Sequence, residues 1–182
     1  MIRLCDVILA LAGLLLLWPV LLIVGILIWV SGDAPLFFQE RVGKNRKPFI
    51  LVKFRTMNSA TKSVATHLAK TSDVTRIGRV LRRTKLDELP QLWNVLIGNM
   101  SIVGPRPCLF SQEDLISARE RMGVFAVKPG ITGLAQVKGV DMSTPRELAL
   151  LDSKMLNNFG LRRYFVYILL TLSGQGAGDR SR

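Results

Sequence analysis

The stretch VILALAGLLLLWPVLLIVGILIWV, residues 7–30, decides the fold: its 24 positions carry no charge, and Pro19 falls near the middle. At about 1.5 Å of rise per helical residue it is long enough to cross a hydrocarbon core roughly 30 Å thick. Pro19 has no N–H for the carbonyl of Leu15 and its ring crowds the preceding turn, so the helix is expected to kink or break there. The flanks supply a second argument. Arg3 and the amino terminus precede the run, and Arg41, Lys44, Arg46 and Lys47 follow it, whereas Lys and Arg collect on cytoplasmic flanks. A re-entrant helix that enters one leaflet, bends at Pro19 and returns places both flanks on that side. A straight signal anchor is the second reading. A cleaved signal peptide is the third and weakest, because the run exceeds a usual h-region and no small-residue cleavage pattern follows it.

About 150 residues follow Val30, enough for one domain with a modest core. The formal charge of +12 comes from 25 Lys and Arg against 13 Asp and Glu, which points to anionic partners: phospholipid, nucleotide or nucleic acid. An apolar anchor puts lipid head groups and phosphorylated lipids first among them. Cys5 beside the apolar run and Cys108 in a Pro-rich turn do not form a disulfide framework and fit a reducing compartment.

Beyond the run, Leu36 to Glu40 and Phe49 to Phe54 are short β-prone segments around Gly43, Lys44 and Asn45, which predicts a hairpin with a basic turn. Residues 58–73 are polar and lack a sustained period, which reads as a loop. The single histidine, His67, lies in it with no second His or paired Cys nearby, so a metal site or a Ser-His-Asp hydrolase is not supported. From Thr75 the spacing turns helical, with Arg76, Arg79, Arg82 and Arg83 opposite Ile77, Val80 and Leu81.

The segment Leu86-Asp87-Glu88-Leu89-Pro90-Gln91-Leu92-Trp93 follows. Proline is tolerated only in the first turn of a helix, so Pro90 predicts a helix that begins close to Asp87. Adjacent helical residues do not share a face, and Asp87 and Glu88 therefore point apart. Simple N-terminal capping is the generic reading of such a pair. Their company favours another: five basic residues lie between Arg76 and Lys85, and Gly104-Pro105-Arg106-Pro107 follows. Phosphoryl transfer uses an attacking oxygen, a divalent cation on acidic oxygens, and arginines that neutralise the phosphoryl group.

Several stretches together resemble the bacterial sugar transferase family, the monotopic polyprenyl-phosphate phosphoglycosyl transferases. They are Lys53-Phe54-Arg55-Thr56-Met57, Thr75-Arg76-Ile77-Gly78-Arg79 with Leu81-Arg82-Arg83, Leu86 to Leu96, Gly98-Asn99-Met100-Ser101, Val103 to Pro107, and Lys128-Pro129-Gly130-Ile131-Thr132-Gly133-Leu134-Ala135-Gln136-Val137. The resemblance covers nearly the whole chain, and its compact size is similar to members that have only the catalytic core.

It implies a two-step reaction. An aspartate, matched by Asp87, attacks the β-phosphorus of a UDP-sugar and releases UMP; a polyprenyl phosphate, undecaprenyl phosphate in bacteria, then takes the phosphosugar from the enzyme. Glu88 matches the implied Mg²⁺ ligand and Arg82 a phosphate-holding arginine, with Arg106 the second such candidate. Lys53, Arg55, Arg76 and Gln136 match further motif positions expected to meet substrate. The resemblance also implies an α+β, mostly helical architecture: a re-entrant membrane helix broken at Pro19 (residues 1–32), one cytosolic catalytic domain with a small hairpin and interfacial amphipathic helices (33–173), and a flexible tail (174–182). The expected location is the cytoplasmic face of the bacterial inner membrane. The expected partners are UDP-sugar, polyprenyl phosphate, membrane lipids and a second copy in a homodimer, with no nucleic acid.

Near the carboxyl end, Thr144-Pro145-Arg146-Glu147 reads as an N-cap, a proline at N1 and a capping-box Glu, and Ser111-Gln112-Glu113-Asp114 follows similar logic. Leu161 to Leu172 mixes Arg162, Arg163 and aromatics with aliphatics, which suits either a helix in the membrane interface or a core helix. Family members often carry Asp followed three residues later by Tyr; here Asp152 is followed by Met155, and Arg162 and Arg163 stand where many have an acid. These departures leave the sugar open, with a lean towards N-acetylated donors from the compact size. A membrane-tethered nucleic-acid-binding protein and an inactive scaffold for glycan enzymes are the alternatives from other classes.

Overall fold

A computed structural model describes residues 1–58 and 73–175; His67 and most of the polar segment around it lie outside them. The chain opens with helix α1 (Ile2–Val30), which begins well before the charge-free run and continues through Pro19. The break expected at Pro19 is therefore not found. A proline removes one helical hydrogen bond, and here the turns on both sides are held by packing on the rest of the chain. Ala10 joins Phe49, Leu51, Val95 and Met100 in one apolar cluster, while Val24 and Ile28 join Phe54 and Leu81 in another.

Strands β1 (Leu36–Val42) and β2 (Pro48–Phe54) form the expected antiparallel hairpin, with Leu36 opposite Phe54 and Val42 opposite Pro48. The basic turn between them contains Asn45 and Arg46 at positive φ. Helix α2 (Arg76–Thr84) starts on a true cap, the Gly78 N–H donating to Thr75 Oγ1 at 2.9 Å. Gly78 is needed there because a Cβ would fall 2.1 Å from the carbonyl oxygen of Thr56, so α2 lies directly against that strand exit.

Helix α3 (Gln91–Leu96) packs under α1 and beside β2. Its Asn94 acts as a substitute strand edge: the side-chain amide donates to the Ile50 carbonyl at 2.7 Å and accepts from the Val52 N–H at 2.9 Å. Strands β3 (Ser101–Val103) and β4 (Gly130–Thr132) pair in parallel. Between them runs α4 (Glu113–Arg121), and after them come α5 (Leu134–Val137), α6 (Pro145–Asn157) and α7 (Leu161–Leu172). A third cluster (Val42, Cys108, Leu115, Ala135, Leu148) and a fourth (Val103, Met155, Tyr164, Tyr167) complete the core.

The two capping boxes do not form, since neither α4 nor α6 has a side-chain cap bond. Gln112 Oε1 instead accepts from the Leu109 N–H at 2.9 Å. Helix α7 answers both readings of its sequence: Tyr164 and Tyr167 are buried, and Phe165, Val166, Leu169 and Leu172 are exposed. The expected α+β, mostly helical class with a long apolar amino-terminal helix and small sheets is what is found.

Candidate active site

The end of α2 builds the turn that carries the two acids. Lys85 adopts the left-handed conformation (φ 57°, ψ 16°) with its N–H on the Arg82 carbonyl at 3.2 Å, and Leu86–Glu88 then form one 3₁₀ turn. A non-glycine residue in that conformation costs about 1 kcal/mol. Leu86 is held by the cluster of Val24, Ile28, Phe54 and Leu81. The helix expected to start at Asp87 starts later: Pro90 is the N-cap of α3, so the acids precede the helix. Successive residues of a 3₁₀ turn are about 120° apart, and Asp87 and Glu88 nevertheless both line one cleft.

Asp87 is 8% exposed and lines a cleft of about 500 Å³. Arg41, Lys53, Arg82 and Arg106 line it too, as do the apolar Leu89, Leu92, Ile131, Ile168 and Leu172. Burial and the charge of Glu88 push the Asp87 carboxyl up to about 7, against the smaller pull of Lys53, Arg106 and Arg82. Burial likewise draws the Lys53 ammonium down to about 8, with Asp87 opposing it. Glu88 Oε1 accepts from Arg106 Nη2 at 2.9 Å. Arg82 is aimed by its Nε, which donates to the buried Thr56 hydroxyl at 3.0 Å.

Gln136 also lines the cleft; its Nε2 donates to the Gly104 carbonyl at 3.3 Å, and its buried Oε1 has no hydrogen-bond partner among the described residues. Six of the eight expected residues thus meet: Asp87, Glu88, Lys53, Arg82, Arg106 and Gln136. Arg55 and Arg76 do not line the cleft. Arg55 follows the end of β2, where its Nε donates to the Ala34 carbonyl at 3.0 Å and its guanidinium lies over Phe37. Arg76 is exposed; six helical residues separate it from Arg82, a rotation of about 240°, so the two cannot share a face.

Two arginines read from sequence as membrane-flank charges have other places. Arg3 donates to the Val95 and Leu96 carbonyls, at 2.6 and 2.9 Å, at the end of α3, where a cation meets the negative end of a helix. Arg41 is 6% exposed and lines the cleft, and burial together with Arg106 lowers its pKa to about 10. The signal was available: in β1, Gln39 and Arg41 share one face by strand alternation, which makes an inward arginine.

The sequence profile of the bacterial sugar transferase family matches residues 1–175. The chain belongs to that family. Among relatives of this bacterial sugar transferase, the UDP-glucose:undecaprenyl-phosphate glucose-1-phosphate transferase of Caulobacter vibrioides is 38% identical over 180 residues, covering 93% of the chain and 67% of the relative. The exopolysaccharide production protein PSS of Rhizobium leguminosarum bv. phaseoli is 41% identical over 155 residues, 79% of the chain and 76% of the relative. The UDP-galactose-lipid carrier transferase of Erwinia amylovora is 36% identical over 176 residues, 87% of the chain. The match spans only 37% of that longer protein.

Proposed function

We propose that the protein transfers a phosphosugar from a UDP-sugar to a polyprenyl phosphate, by way of a covalent phosphosugar on Asp87, and so initiates assembly of a surface glycan. The observation that carries this reading is buried Asp87 beside half-buried Glu88 in a cleft lined by five cations, Arg41, Lys53, Arg82, Lys85 and Arg106, and by aliphatic side chains. Relatives whose names pair UDP-glucose with undecaprenyl phosphate add weight to it.

In the first step Asp87 Oδ attacks the β-phosphorus, and the bond to the bridging oxygen breaks, its electron pair leaving with UMP. In the second, an oxygen of the polyprenyl phosphate attacks the same phosphorus and the Asp87 oxygen leaves, which yields a lipid-linked diphosphosugar and a free carboxylate. Splitting the transfer spares the cleft from holding two bulky anions at once. Arg82, Arg106, Arg41 and Lys53 supply positive charge for the diphosphate.

A Mg²⁺ ion fits this donor set. The charge of Glu88 contributes to the rise of the Asp87 pKa, a crowding of carboxylates that a divalent cation relieves. No group of three or more His, Cys, Asp or Glu able to hold a metal exists among the described residues, and Mg²⁺ commonly takes one or two carboxylates plus water and substrate phosphates. Glu88 would hold it, and the ion would supply charge neutralisation at the phosphates.

The membrane setting is supported by α1, which is long and apolar enough to cross a bilayer. Both its halves pack on the domain, and that favours a monotopic seating in one leaflet, by a helix unbroken at Pro19, over a span that leaves the domain behind. Trp29, near the end of α1, and Trp93 on α3 are 69% and 52% exposed, as tryptophans at a membrane–water interface are. Such a placement brings the cleft to the depth of the polyprenyl phosphate on the cytoplasmic face of the inner membrane.

The test is UMP release across a panel of UDP-hexoses and UDP-N-acetylhexosamines, with undecaprenyl phosphate and Mg²⁺ in detergent, followed by mass spectrometry of the trapped enzyme. A phosphosugar on the Asp87 peptide is expected. Full turnover by Asp87→Asn sinks the covalent reading, and full biological function of an Asp87/Glu88 double alanine variant favours the scaffold instead.

A further inference from the structure

The turn that carries Arg106 is short of donors, because Pro105 and Pro107 have no N–H and only the Gly104 N–H, which donates to the Thr132 carbonyl at 2.8 Å, ties it to a neighbouring strand. Its carbonyls are secured instead, four in succession. The Pro105 carbonyl accepts from the Gly130 N–H at 2.9 Å, and the Cys108 carbonyl accepts from the Val42 N–H at 2.9 Å. Between them, the Arg106 carbonyl accepts from Arg119 Nη1 at 2.8 Å and the Pro107 carbonyl from Arg41 Nη1 at 3.0 Å. Arg119 is 1% exposed, and its Nε and Nη2 both donate to Asp152 Oδ2, at 3.0 and 2.7 Å. It does not line the cleft.

A buried arginine and aspartate are expensive to desolvate, and a well-packed apolar pair often serves stability as well. Spending such a pair on one backbone carbonyl points to a positional role. We infer that Arg119 and Asp152, with Arg41 as a second support, are positioning residues that fix the backbone of the 104–108 turn, so that the Arg106 side chain meets Glu88 and the substrate phosphate. The inference rests on the proposed phosphosugar transfer for its kinetic part and on geometry alone for its structural part. The path runs from α6 (Asp152) through α4 (Arg119) to the turn and then to Glu88 in the site.

Two measurements test it, in full-length protein in detergent. Arg119→Lys keeps the charge but cannot reach Asp152 and the Arg106 carbonyl together; Asp152→Asn keeps the shape and loses the charge. Each is expected to lower kcat/KM for UMP release about 10- to 100-fold, the equivalent of one to two charged hydrogen bonds. In an Arg106→Gln background the same changes should have little further effect, because residues that act through one group are not additive. Losses that multiply in the double variants overturn the inference, since a merely structural pair acts on every background. Independently of turnover, hydrogen exchange at the Gly130 and Val42 amides, which donate to the Pro105 and Cys108 carbonyls of the turn, should quicken in both variants, and unchanged exchange also overturns it. If Arg119→Lys fails to fold, Asp152→Asn decides both readouts. A wild-type enzyme that releases no UMP from any donor refutes the proposed reaction, and the exchange measurement still judges the clamp.

Discussion

Asp87 carries a carboxyl at about 7 where an ordinary aspartate lies at 3.8, because burial and the neighbouring Glu88 charge both oppose ionisation. Between those two values the folded chain keeps a proton that the unfolded chain has lost. Stability therefore falls as pH rises through this window and stays low above it. Asp87→Asn removes the ionisable group, so its Tm is expected to exceed that of wild type at pH 8 and to vary less between about pH 4 and 7, with at most roughly 4 kcal/mol at stake. Thermal melts without added divalent cation check this, and the same variant should lose UMP release by about a thousandfold, as removal of a nucleophile does. At this scale the sequence was readable where chemistry imposes spacing: Asp87, Glu88, Arg82 and Arg106 stand in ordered motifs. It was unreadable where one residue type serves several ends. Arg55 lies just past the end of β2, where no strand alternation fixes its face, and packing sends it outward to the Ala34 carbonyl.

Asp6 shows what helix α1 needs beyond its apolar run. Its buried Oδ1 accepts from Ser101 Oγ at 2.9 Å, the Ile102 N–H at 2.9 Å and the Tyr164 hydroxyl at 2.8 Å, which ties α1, β3 and α7 together. Asp6→Ala strands three buried donors, and a loss of about 3 kcal/mol is expected, against about 1 kcal/mol for Tyr164→Phe; chemical denaturation in detergent measures both. Gly130→Ala at the head of β4 should be as damaging, because the new Cβ would meet the Gly104 nitrogen at 2.0 Å. Hydropathy marked the run from Val7 and passed over Asp6, since a charge next to an apolar segment looks like its boundary. Helical spacing located α2, β-prone runs around a turn located the hairpin and composition located α7, while the turn ahead of α3 was misplaced because Pro90 fits a cap as well as a first turn.

The whole molecule presents apolar side chains along α1 and on α7 to its surroundings, including Leu15, Leu16, Ile23, Leu27, Leu169 and Leu172. If one leaflet receives them, cysteines placed at residues 2 and 45 label from the same side of intact cells; labelling from opposite sides refutes the re-entrant placement. The division into anchor and domain was a sequence-level expectation, and the packing joins what that division separates. Ala10 fills the cluster of Phe49, Val95 and Met100, and Val24 and Ile28 cover Phe54, Leu81 and the Leu86 that precedes Asp87. For anyone who wants to handle this enzyme, the practical consequence is that trimming residues 1–32 should not release a well-behaved water-soluble fragment. Such a fragment would begin life with three torn hydrophobic seams, since Ile2, Cys5 and Leu9 also cover the cluster of Val103, Met155, Tyr164 and Tyr167, and it is expected to precipitate on purification without detergent, while the intact chain stays monodisperse in micelles.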